Sequence, residues 1–184
     1  MLVIGLGLGG YISQYSIQTN HGFGALTIGQ WTAWPAAGSV KADPYTKAKV
    51  AAEGEVPLGA AEGIAFHATT DEAGMKLRLR CQYRLSGQTP LARFWTISIH
   101  NLDGGAGDSG NKHYSTLLSQ SLVREADGRF VLHTGPTLTA GNWLETDGQG
   151  EFQLILRLYD SPITSTRGIV DPGMPSINLL ECKS

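Results

Sequence analysis

The stretch "MKLRLRCQYRL", Met75 to Leu85, alternates apolar and polar residues without a break. Met75, Leu77, Leu79, Cys81, Tyr83 and Leu85 fall on one side of an extended chain, and Lys76, Arg78, Arg80, Gln82 and Arg84 fall on the other. Side chains of a strand point to opposite faces in turn, so this period of two describes a strand with one dry and one wet face. Wound as a helix, the same leucines would scatter around the circumference and bury nothing together. The remaining chain must therefore supply further strands and a second layer to cover the apolar side.

Other segments follow that lead. "ALTIGQWTAW" reads as the first strand of the folded domain, and "EGIAFHATT" as a half-alternating one. "ARFWTISIHN" places Trp95, Ile97 and Ile99 on one side, and "DGRFVLHTG" reads as a turn and a strand. "GEFQLILRLYD" turns Phe152, Leu154, Leu156 and Leu158 one way, and Ile155, Arg157 and Tyr159 the other. "KHYSTLLSQSLV" fits neither period. One helix is expected in "DPYTKAKVAAEG", with Asp43 as its N-cap, Pro44 at the first helical position and Gly54 as its stop. With 24 glycines among 184 residues, turns are plentiful enough to join many short strands within one domain. The expected fold is mainly β: an antiparallel, jelly-roll-like β-sandwich with one short helix.

Charge divides the chain. No Lys, Arg, Asp or Glu occurs from Met1 to Val40. Residues 1–17, "MLVIGLGLGGYISQYSI", are expected to form a transmembrane or signal-anchor segment, 18–24 a linker, and 25–184 the β-sandwich domain. A helix of that length spans roughly 26 Å against a hydrocarbon layer of ~30 Å, and neither a basic start nor an A-x-A site is present. The segment reads as the latter part of an anchor whose basic start lies upstream; the alternative is a buried N-terminal strand. Gly5 and Gly9 form a GxxxG step suited to close packing of membrane helices. The same glycines spell the dinucleotide-binding pattern Gly5-x-Gly7-x-x-Gly10, but no acid for a ribose follows before Asp43. The net charge of −2 argues against a nucleic-acid binder that works by bulk electrostatics.

Signals of catalysis are sparse. His21, His67, His100, His113 and His133 show no H-x-H or HExxH spacing, and Asp103, Asp108, Ser109 and Asn111 do not follow calcium-loop spacing. A G-x-S-x-G elbow is absent. No cofactor and no metal site are expected. Lys76, Arg78, Arg80 and Arg84 would stand ~7 Å apart along one strand and repel unless paired. Either Glu62, Asp71 or Glu72 on neighbouring strands neutralises them, or they form an anion-binding face for phospholipid headgroups or acidic glycans. Trp143, Arg157 and Tyr159, within "GNWLETDGQGEFQLILRLYD", are candidates for a pocket or for a structural role. An arginine between large apolar residues is held in fixed geometry in either case. Cys81 and Cys182 fit neither a zinc site nor a CxxC motif; they are two buried thiols or one disulfide closing a long loop.

"FWTISIHNLDG", "ADGRFVLHTG" and "GNWLETDGQGEFQLILRLYD", taken in order, resemble the signature of the domain-of-unknown-function 1214 family: a Trp-rich strand, a D-G-x-hydrophobic strand, then N-W-L and a strand ending R-L-Y. "LTIGQWTAWPAAGSVKADPYTKAKVA", "LGAAEGIAFHATTD" and "CQYRLSG" resemble its short, membrane-anchored alphaproteobacterial members, so the likeness runs from Ala25 to Cys182. Departures are Glu145, where a proline or small residue usually follows N-W-L, and the glycine-rich loop Gly104 to Gly110. The resemblance implies a jelly-roll-like domain exported to the periplasm and tethered to the inner membrane by one N-terminal helix. It assigns no catalytic residue. It also implies a Cys81–Cys182 disulfide, suited to an oxidising compartment, that closes a loop of about 100 residues for ~4–5 kcal/mol.

Three functions follow as expectations. The first is a structural or accessory subunit of a membrane protein complex, with membrane lipid around residues 1–17 and other subunits as partners. The second is a periplasmic module for an anionic lipid or glycan. An enzyme of unrecognised type ranks last.

Overall fold

Two β-sheets face each other in the computed structural model, which describes residues 7–10, 24–53, 57–59, 61–102, 116–164 and 173–183. The strands are β1 (Leu26–Ile28), β2 (Trp31–Ala33), β3 (Gly63–Ala68), β4 (Cys81–Gly87), β5 (Phe94–Asn101), β6 (Thr116–Leu118), β7 (Phe130–Gly135), β8 (Asn142–Glu145), β9 (Phe152–Tyr159) and β10 (Ser176–Cys182). Helix α1 (Pro44–Glu53) stands between β2 and β3. One sheet has the order β1-β2-β3-β9-β5-β6 and the other β10-β4-β7-β8.

The alternating residues meet between the sheets. Ile64 and Phe66 of β3, Trp95, Ile97 and Ile99 of β5, and Phe152, Leu154, Leu156 and Leu158 of β9 line one side of the core. Cys81, Tyr83 and Leu85 of β4, Phe130 and Leu132 of β7, Leu144 of β8 and Ile177 of β10 line the other. Two aromatic pairs bridge the layers edge to face or tilted: Tyr83 with Phe152 at 5.9 Å between centroids, and Trp95 with Phe130 at 5.4 Å. Each large side chain buried there is worth about 1.5–3 kcal/mol. Trp31, fully buried, donates its indole N–H to the Pro175 carbonyl at 2.8 Å, tying β2 to the entry of β10 in the opposite sheet.

Several expectations need correction. Met75–Leu85 is not one strand: β4 begins at Cys81, and residues 75–80 hold on through isolated bridges of Lys76 with Thr70 and of Arg78 with Glu151. A turn at Leu79–Arg80 is closed by the Cys81 N–H on the Arg78 carbonyl, while the Tyr83 hydroxyl takes the Arg78 N–H at 2.9 Å. Leu77 and Leu79 still point inward, but Met75 is 64% exposed. "ALTIGQWTAW" is a hairpin of β1 and β2 rather than one strand, because Gly29, at φ 57°, reverses the chain. Pairing is antiparallel throughout the described strands except between β7 and β8, which run parallel. Residues Pro136 to Gly141 make that return over the outer face of the sheet, where Thr139 Oγ1 accepts from Gln82 Nε2 at 2.6 Å.

The helix starts as expected. The Asp43 carboxylate accepts the N–H groups of Tyr45 (2.9 Å) and Thr46 (3.1 Å), satisfying donors that have no partner within the first turn. Gly54, expected as its stop, lies outside the described residues. Within segment 1–17 only residues 7–10 are described, as a helical turn; Gly5 lies outside them, and Gly9 faces open space. No helix among the described residues is long and apolar enough to cross a membrane.

Candidate functional site

The two outer sheet faces differ. On the six-stranded sheet, Thr32, Thr96, Ser98, Gln153 and Ile155 point away from the core and are nevertheless buried. Helix α1 lies over the β3 side of this face. Between them is a cleft of about 40 Å³, lined by Trp34, Pro35, Thr46, Val50, Leu58 and His67 among others. His67 Nδ1 meets Gln153 Oε1 at 3.3 Å, and its ring stands edge-on to Trp34 at 5.5 Å. That volume holds a few water molecules, far less than the several hundred Å³ of a pocket for an organic ligand.

Arg157 and Tyr159 belong to the same outer face. Arg157 Nη1 donates to Ser98 Oγ at 3.1 Å across the β9–β5 pair, and Tyr159 packs on Phe94 with centroids 5.6 Å apart. Ser98 is thus a side-chain partner of Arg157 on this face. Trp143 is far from both, on the other sheet, so the three candidates of that stretch form no common pocket. The neighbours of Trp143 explain much of the "NWL" run. Asn142, buried, donates to the carbonyls of Val123 and Val131 and accepts the Val123 N–H, each at 2.8 Å. Leu144 enters the core, and Trp143, half-buried, donates its indole N–H to the Gly135 carbonyl at 3.2 Å.

The outer face of the four-stranded sheet is open except where residues Pro136–Gly141 cover Gln82. Its middle row runs across all four strands, because Asn178 stands opposite Arg84, Arg84 opposite His133 and His133 opposite Trp143. Arg84 is exposed and makes no ion pair or hydrogen bond among the described residues. His133 is half-buried, and its Nδ1 is enclosed without a hydrogen-bond partner. Sequence spacing placed Arg84 and Trp143 in separate groups and His133 in none. Only the parallel register of β8 on β7 brings the three together.

The basic run is neutralised at one end alone. Lys76 Nζ pairs with Glu151 at 2.8 Å, not with the acids expected for it. Glu62 instead accepts the Gly59 N–H, and Asp71, buried, accepts those of Ala73 (3.0 Å) and Met75 (2.8 Å). Arg78, Arg80 and Arg84 find no carboxylate among the described residues, and Arg80 Nε is enclosed without a partner. The turn at Leu79–Arg80 prevents the four cations from forming one continuous stripe.

Cys81 and Cys182 are joined in a disulfide across the β4–β10 pair, 101 residues apart in sequence. Two ionisable groups are displaced from their usual range. Hydrogen bonding from the Thr46 side chain, and then from the Thr46 amide, holds the Asp43 carboxyl low. Burial pushes the Tyr83 phenol up, the Arg78 amide opposing it. Among the described residues no group of three His, Cys, Asp or Glu side chains is placed to hold a metal ion. His21, His113, Asp103, Asp108, Ser109, Asn111 and the Gly104–Gly110 loop lie outside the described residues.

The profile of a family described as "Protein of unknown function (DUF1214)" matches residues 62–163, more than half of the chain. Among solved structures the chain is similar to the VPA0106 protein from Vibrio parahaemolyticus, with 19% identity and a TM-score of 0.55 over 75% of this chain and 36% of that one. It is also similar to an uncharacterised protein from Burkholderia cenocepacia, with 16% identity and a TM-score of 0.46 over 95% of this chain and 48% of that one. The chain thus spans less than half the length of either, and the first likeness speaks to fold alone. No curated protein matches the chain.

Proposed function

The chain belongs to the DUF1214 family, a family of unknown function, and on that premise we propose that it is a structural or accessory subunit of a membrane protein complex. In this reading residues 1–17 are the inner-membrane anchor, Gly5 and Gly9 are the step that packs on another helix, and a jelly-roll-like domain stands in the periplasm. The observation that carries it is β10. Among the described residues this edge strand pairs with β4 alone, and it exposes both Leu179 (46%) and Leu180 (50%). An edge with unpaired backbone groups and exposed leucines is what a partner protein adds a strand to. The Glu72 N–H already occupies the Ile177 carbonyl at 2.8 Å and the register shift falls between Leu179 and Glu181, so the open stretch is short and is centred on the two leucines. The charge-free run from Met1 to Val40 and the disulfide support the membrane and the oxidising compartment respectively. Gentle detergent extraction, pull-down on this chain and mass spectrometry test the reading. Stoichiometric partners that are lost from the Leu179→Lys/Leu180→Lys variant are expected; recovery of the chain alone sinks the proposal.

A second reading, a module for an anionic lipid or glycan, is favoured by Arg78, Arg80 and Arg84. Among the described residues these three arginines have no carboxylate, Arg78 and Arg84 are exposed, and a guanidinium binds carboxylate or phosphate through two parallel bonds.

A further inference from the structure

We infer that the row Arg84–His133–Trp143 on the outer face of the four-stranded sheet is a carbohydrate-binding site for a glycan that carries isolated carboxylates. This rests on the second reading above and gives it a place and a ligand class.

Arg84, His133 and Trp143 project from three adjacent strands, so with a strand spacing of ~4.8 Å the row is roughly 10 Å long. One end offers the exposed Arg84 guanidinium, which has no ion pair among the described residues. The other offers an indole whose tilt is set by the Nε1 bond to Gly135. Between them His133 has Nδ1 enclosed and unpartnered. Nε2 is not enclosed in that way, so it is the ring nitrogen open to a hydrogen bond with a sugar hydroxyl. A guanidinium, an imidazole nitrogen and an aromatic surface in line match a sugar carboxylate, a hydroxyl and the apolar face of a pyranose ring.

The neighbouring rows narrow the ligand further. Glu145 and Glu181 are exposed beside this row, on β8 and β10. Two acids at that range repel a dense polyanion but accept hydrogen bonds from sugar hydroxyls. A flat row beside the Pro136–Gly141 loop also suits a polymer laid along it better than a small molecule that needs enclosure. A membrane surface is the weaker match, since Trp143 is half-buried and held by its hydrogen bond rather than free to enter lipid.

The test is titration of the ¹⁵N-labelled full chain, disulfide intact and in detergent micelles, with hyaluronan hexasaccharide, a uronate whose carboxylates sit on every second sugar. Maltohexaose serves as the neutral control, and vesicles of phosphatidylglycerol in phosphatidylcholine as the lipid control. The expected result is a shift of the Trp143 indole signal, assigned by its loss in Trp143→Phe, with the uronate only. Arg84→Glu should fold normally, because Arg84 is exposed, and weaken binding by about tenfold or more. Equal response to maltohexaose, or full binding by Arg84→Glu, overturns the site. Binding to the anionic vesicles without any response to the uronate overturns the glycan assignment and leaves the anion-binding reading standing. Silence toward all three ligands overturns both.

Discussion

Cutting the Cys81–Cys182 link should remove more stability than any single contact it makes. Cys182 is exposed, so Cys182→Ala leaves the core intact, and Cys81 stays in place as a small buried hydrophobe. What changes is the unfolded chain. The bond closes a loop with a sequence separation of 101 residues, and loop-closure entropy for that size is worth about 4.7 kcal/mol. Beyond Ile177 every residue of β10 is exposed, so little side-chain burial is lost with the bond. The expected loss is therefore about 4 kcal/mol, which for a chain of this length lowers Tm by about 8–16 °C. Urea denaturation of the oxidised chain and of Cys182→Ala measures it, and the slope m should rise, because the unlinked unfolded state exposes more surface. A loss below about 1 kcal/mol with unchanged m would refute the loop-closure reasoning. So would an effect confined to amide exchange in residues 178–182.

Other substitutions probe the scaffold of the sheets. Asn142→Ala removes three hydrogen bonds of 2.8 Å made to the backbone of Val123 and Val131; a loss of about 1–3 kcal/mol by denaturation is expected, against near neutrality if those groups find water. Gly63→Ala drives a methyl into the Leu158 carbonyl oxygen, so β3 and β9 must part, at a cost of about 1–3 kcal/mol; wild-type stability would show that this pairing is looser than described. Asp43 titrates lower in the folded chain than its ordinary 3.8, so its cap contribution is complete above that pH and is lost as pH falls through the lower folded value. Amide exchange at Tyr45 and Thr46 should rise across that acidic window and stay flat in Asp43→Asn, which caps without titrating; identical profiles in the two proteins would contradict the assignment.

The inward residues of β5 and β9, the cap of α1 and the two-layered β class were legible because each depends on neighbours along the chain. Alternation between Met75 and Leu85 correctly announced Leu77, Leu79, Cys81, Tyr83 and Leu85 as core, since side-chain direction survives a local break in hydrogen bonding. It could not announce the break itself. The turn at Leu79–Arg80 is held by Thr146, whose hydroxyl donates to the Leu79 carbonyl at 2.6 Å, and by Gly150, whose carbonyl takes the Leu79 N–H. Those partners lie far away in sequence, and no local pattern names them.

Pairing was the province of tertiary structure. Lys76 meets Glu151 and not its sequence neighbours, because the strand that follows Gly150 returns beside it. The parallel placement of β8 on β7 is likewise a matter of which strand lies alongside, at what register, and hydropathy patterns contain neither. The sequence by itself determined which residues turn inward, through a period of two that any partner strand must respect. Only the folded chain decided which polar residues meet on the outside, because side chains there are brought together by strand order rather than by spacing, and that is how Arg84, His133 and Trp143 come to share one row.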